Sequence, residues 1–74
     1  MTVVAETFTF RRSSNLESAT YDPDTSDLTV VFLSGDEYVY RNVPPEVYRA
    51  LTLAGSAGSY LARSIKGRYD YERQ

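Results

Sequence analysis

Two tyrosines set two residues apart, Tyr38 and Tyr40, carry the most telling chemistry in this chain. On a β-strand alternate side chains share a face, so the pair projects together, about 7 Å apart by strand rise. That spacing suits a platform on which two nucleic-acid bases stack while nearby arginines hold phosphates. It suits core packing equally well, with the hydroxyls reaching a polar partner at the rim, and a chain this short needs its rings for the core. Hairpin register decides between the two. An odd loop after Leu33 sets the tyrosines with Leu28, Val30 and Phe32, whereas an even one sets them with Val31 and Leu33.

The cations that would complement such a platform are Arg41, Arg49, Arg63, Lys66 and Arg68, all in the second half of the chain. Net charge is only -2, but it is unevenly placed. Through Tyr40 seven acids face two arginines; from Arg41 onward six bases face three acids, so the two parts carry -5 and +3. The asymmetry points to an anionic partner for the second half, although solvated surface charge explains it too. Gly58-Ser59 before a helix could hold an anion on backbone amides, or serve only a turn. Lys66 and Arg68 flank a helix end, where cations complement the dipole.

Other chemistries are excluded by residue type. The chain has no cysteine and no histidine, which removes disulfides, thiolate nucleophiles, Cys/His zinc sites and imidazole bases. Asp22, Asp24 and Asp27 surround Pro23 and lack the twelve-residue loop of an EF-hand. Asp36 and Glu37 are adjacent on a strand and point to opposite faces. No cofactor, metal site or catalytic residue is expected, and the protein reads as non-enzymatic. Seventy-four residues form one domain near the lower size limit for a purely hydrophobic core.

The elements that must position these residues follow from pattern. Thr2 to Phe10 alternates well enough for a strand, or forms an arm, and Arg11 to Asn15 is a polar break. Leu16 to Tyr21 reads as a strand with Ala19 and Tyr21 on one face. Asp22-Pro23-Asp24 is the clearest turn. Leu28 to Leu33 is apolar on both faces and should be central. Ser34-Gly35-Asp36 turns the chain into Glu37 to Arg41. Pro44 and Pro45 then suit a helix start, with Glu46 near the positive end of its dipole. That helix runs to Ala54 with Val47, Tyr48, Leu51 and Ala54 on one stripe. A second helix, Ser59 to Lys66, pairs Leu61 with Ile65 and stops at Gly67. Tyr69 and Tyr71 repeat the i, i+2 pattern as a last strand or tail, and read more readily as a C-terminal staple than as a binding motif.

Ser13-Ser14-Asn15, Tyr21-Asp22-Pro23, Phe32 before Ser34-Gly35, Tyr38-Val39-Tyr40, Val43-Pro44, Val47-Tyr48, Leu51, Ser56, Gly58-Ser59-Tyr60 and the Ile65 to Tyr71 segment occur in that order. Together they resemble the KTSC domain, found at the C-terminus of some lysyl-tRNA synthetases and as stand-alone small bacterial and phage proteins. The resemblance spans about residues 13 to 71. It implies RNA binding through the positions of Tyr38 and Tyr40, and transfers no catalytic residue. The added Thr2 to Arg12 and the lack of an attached synthetase argue against a tRNA-specific reading.

The expected fold is therefore α+β. A three-stranded antiparallel meander, open to extension at either end by residues 1–12 as a strand or arm and by the tyrosine tail, packs against two short C-terminal helices within a KTSC-like domain of residues 13–74. The expected function is a binding module for RNA or another nucleic acid. The alternatives are a small protein-interaction module, such as a phage-type modulator of a host factor, and an oligomer that sequesters a nucleotide. A homodimer is open to a sheet with a free edge. No membrane span or leader is apparent, so the expected location is cytoplasmic.

Overall fold

The computed structural model describes residues 5–10 and 15–74. Its elements are β1 (Glu6–Thr9), β2 (Leu16–Asp22), β3 (Asp27–Phe32), β4 (Glu37–Tyr40), α1 (Pro45–Leu53), α2 (Ala57–Tyr60), a π-helical turn (Leu61–Ile65) and β5 (Tyr71–Arg73). The five strands form one antiparallel sheet in the order β1-β2-β3-β4-β5. Both helices lie in the connection between β4 and β5, and the expected meander is extended at both ends. The Thr2–Val4 part of the expected first strand, and Arg11 to Ser14 of the polar break, lie outside the described residues.

Local chemistry makes the turns. After β2 the Asp22 carboxylate accepts the Asp24 amide at 2.9 Å and its carbonyl accepts the Ser26 amide at 2.8 Å, the side-chain-to-backbone bonding for which Asp is selected in turns. Gly35 takes φ +96° in the β3–β4 hairpin, a conformation nearly free of cost only for glycine. Leu33 leaves the strand expected for it, and its amide bonds the Asn15 carbonyl at 2.8 Å.

One face of the sheet is covered. Leu16, Ala19, Tyr21, Leu28, Val30 and Tyr40 are buried with Val43, Tyr48, Leu51, Ala57, Leu61 and Ile65 of the helical half. A register shift between Leu16 and Ser18 lets Leu16 and Ala19, three apart, serve the same side. β3 is central, as its composition suggested. Its second face, Thr29 and Val31, is only half-buried, since no element among the described residues covers it.

α1 begins at Pro45 with Glu46 in its first turn, as expected. It ends at Leu53, because Ala54 is already extended with ψ 141°. The second helix starts at Ala57 rather than Ser59, since the Ser56 side chain accepts the Ser59 amide and caps it. The Lys66 amide then bonds the Leu61 carbonyl at 2.8 Å, the i→i+5 bond of a π turn. Leu61 and Ile65 are both buried. Gly67, at φ +81°, turns the chain toward β5. Gly58 has a packing role: a Cβ there would collide with the Asn15 side chain, so the N-terminal turn of α2 lies against the loop before β2.

Candidate functional site

The hairpin register answers the question posed by the tyrosine pair. Leu28 faces Tyr40 and Val30 faces Tyr38, so both tyrosines stand on the covered side. Tyr40 is 0% exposed, and its hydroxyl makes no hydrogen bond to another described residue. Burial raises its pKa above 10.0, with the Tyr38 and Tyr71 phenols adding to the shift. A two-tyrosine platform is thereby corrected, because Tyr40 cannot reach a base without unfolding the core.

Tyr38 is half-buried and has a different partner. β5 pairs with β4 so that Tyr71 faces Tyr40 and Arg73 faces Tyr38, which puts Tyr71 on the diagonal from Tyr38, within reach of an aromatic ring. Their rings stack with centroids 5.4 Å apart and planes 5° from parallel. Phe32 closes the other side of Tyr38, edge-on at 5.5 Å. Tyr71 itself is 55% exposed. Phe32 and Tyr38, both half-buried against the core, therefore back the exposed Tyr71 ring, which the stacked Tyr38 ring holds flat.

Beside Tyr71, a shallow groove of 430 Å³ is lined by Gly67, Arg68, Tyr69, Asp70 and Tyr71. Arg68 makes no ion pair with another described residue. Arg63 and Lys66 are exposed on the π turn and at its cap, the segment that leads into the groove. This part of the expected cation set is available to an anion.

The remaining two arginines go elsewhere. Arg41 points to the uncovered face and pairs with Asp27 at 2.7 Å and Glu72 at 3.0 Å. Its pKa is raised mainly by the hydrogen bond to Glu72, with Asp27 contributing, so its charge is already answered within the protein. Arg49 lines a separate cleft between β1 and α1. Arg73, absent from the expected set, pairs with Asp36 at 2.8 Å, and that bond raises its pKa. The residue that the sequence undervalued is Tyr71. Its i, i+2 spacing from Tyr69 was visible, but its place beside Tyr38, 33 positions away, depends on the pairing of β4 with β5.

The KTSC domain profile matches residues 12–69. The chain belongs to the KTSC domain family. A protein of Stutzerimonas stutzeri is 43% identical over 58 residues, which are 78% of this chain and 82% of that protein. A lysine–tRNA ligase of Nostoc sp. is 40% identical over 60 residues, 81% of this chain but 11% of the ligase. The crystal structure of a KTSC domain protein from Yersinia pestis superposes with a TM-score of 0.87 at 27% identity, covering 96% of this chain and 99% of that one. The five-stranded sheet with its helical cover is thus the fold of the family. Among the described residues, no helix is long and apolar enough to cross a membrane.

Proposed function

We propose that this KTSC domain is a non-enzymatic binding module for single-stranded RNA, with Tyr71 as the stacking ring and Arg68 as the first phosphate contact. The observation that carries the reading is the exposed Tyr71 ring held parallel on Tyr38 at the edge of the groove containing Arg68. A base stacks on such a ring without regard to sequence, and a guanidinium with no ion pair to another described residue beside it suits a phosphate. Lys66 and Arg63 extend the positive track, while Tyr38 acts through Tyr71 by fixing its plane. Arg41 is excluded from the contact set by its two carboxylate partners, and Tyr40 by burial.

Kinship supports the choice of RNA. A stretch similar to this chain is built into proteins whose name specifies tRNA as a substrate. The overall charge of -2 calls for a short contact rather than a long electrostatic one. Anisotropy of a labelled mixed-sequence RNA, measured across a salt series, tests this. With two to three phosphates engaged, log affinity should fall against log salt with a slope of about -2. Tyr71→Ala should weaken binding by about 1–3 kcal/mol. Binding that ignores both salt and Tyr71 would contradict the reading and favour a protein partner instead.

A further inference from the structure

The sheet is wider than its helical cover. α1 packs on Tyr21 of β2, whose ring stacks with Tyr48 at 5.3 Å and 14°. Glu6 and Phe8 of β1 face the same side, since Glu6 pairs with Tyr21 and Phe8 with Ala19. They extend beyond the helix, and Phe8 remains 40% exposed. Between β1 and α1 this leaves a half-open cleft of 360 Å³, within the range of about 300–1,000 Å³ for small-molecule sites. It shares no lining residue with the Arg68 groove.

The lining combines three different recognition chemistries. Phe8 offers ring surface next to Pro23 and Pro45. Arg49 is exposed and makes no ion pair with another described residue, so it can receive an anion. Glu6 brings an acceptor to the opposite side. Its charge lies close enough to the Tyr48 hydroxyl to help raise that group's pKa, after the larger effect of burial. The Tyr48 hydroxyl donates to the Glu6 carbonyl at 3.5 Å, the outer limit for a hydrogen bond, and can turn to a better acceptor. An anion alone would be repelled by Glu6, and an apolar ring alone would leave Arg49 unanswered. A ligand carrying both an anion and a ring-bound donor satisfies both residues.

We propose that the cleft between β1 and α1 binds a flat, amino-bearing aromatic ring with one pendant anionic group, Phe8 stacking the ring, Arg49 holding the anion and Glu6 accepting from the ring amine. Nucleoside monophosphates with an aminated base and small aromatic amino acids of the aminobenzoate type share this chemistry.

The test is a titration of ¹⁵N-labelled full-length protein with adenosine monophosphate, uridine monophosphate and 4-aminobenzoate in separate arms. The expected result is a set of saturable shifts on Glu6 to Phe8 and Tyr48 to Thr52 with adenosine monophosphate or 4-aminobenzoate, whichever is the matching source. Uridine monophosphate, which has no ring amine, should bind at least ten-fold more weakly than adenosine monophosphate if the nucleotide is the source. Arg49→Gln, at an exposed position, should lower affinity at least ten-fold without changing the melting temperature. Phe8→Ala should also lower affinity at least ten-fold by removing the stacking ring, with some loss of stability because Phe8 packs edge-on against Phe10. The proposal is overturned if neither amino-bearing probe shifts the cleft amides, if affinity is unchanged in Arg49→Gln, or if the shifts fall on Arg68 and Tyr71. The last result would leave RNA binding at that groove intact, so the two sites fail separately.

Discussion

The chain contains the pattern tyrosine-x-tyrosine twice, and the sheet puts the two copies to opposite uses. In Tyr38-Val39-Tyr40 the strand is interior, hydrogen-bonded to β3 on one side and β5 on the other. One ring becomes fully buried and the other half-buried. In Tyr69-Asp70-Tyr71 only the second tyrosine enters a strand, and that strand is the sheet edge. Tyr69 packs against the core while Tyr71 lies open to solvent on top of Tyr38. The same local spacing gives a core element in the middle of the sheet and a presented ring at its edge. Position in the sheet decides the role, and the outer pair uses the inner one as its support.

The largest expected effect breaks the inner copy. Tyr40→Ala should cost about 3–5 kcal/mol by opening a cavity under the helices, read as a shift of the urea midpoint at unchanged slope. Tyr40→Phe should cost less than about 1 kcal/mol, since the hydroxyl it removes bonds no other described residue. A large loss in Tyr40→Phe would mean that the hydroxyl matters to the core.

Next comes the cover that hides Tyr40. Gly58→Ala should destabilise by about 1–2 kcal/mol, because its methyl group meets the Asn15 side chain. Asn15→Ala in the same chain should recover part of that loss, and the double-mutant cycle measures how much. Additive losses would show that the two positions do not meet.

Alkaline titration sharpens the contrast between buried and exposed phenols. Burial raises the pKa of Tyr40 and Tyr48 above the ordinary 10.0. The folded state therefore favours the neutral phenol. Below pH 10.0 both states are neutral and stability is unaffected; it falls as pH rises from there through the folded-state values. Denaturation midpoints collected through that window should drop in the parent and drop less in Tyr40→Phe.

The smallest effect concerns two arginines that look alike in sequence. Arg41→Ala should leave the affinity for RNA unchanged, since its charge is already matched by Asp27 and Glu72, whereas Arg68→Ala should weaken binding and flatten its salt dependence by about one phosphate. Anisotropy on both variants checks this, and equal losses would place Arg41 in the interface.

What the sequence made legible was local chemistry. The Asp22-Pro23 turn, the hairpin at Gly35 and the helix opening at Pro45 each depend on residues within a few positions, and all three occur where expected. The central place of β3 followed from its apolar composition. The burial of Tyr40 did not follow, because it turns on register, which alternation alone leaves two-valued. Arg41 pairs with residues 14 and 31 positions away, and no local pattern announces such partners. The π turn adds one residue to a helical repeat, which the Leu61 and Ile65 spacing cannot reveal. Tyr71 was undervalued for the same reason as Arg41, since its support comes from Tyr38 across the whole helical connection.

The most direct test of an edge tyrosine presented for stacking is an amide-resolved NMR titration of the labelled protein with short mixed-sequence RNA, first at low and then at moderate salt. Shifts are expected at Gly67 to Tyr71 and at Tyr38, fading as salt rises, with Arg41 and the uncovered sheet face silent. Shifts centred on Thr29, Val31 and Arg41, or none at low salt, would contradict it.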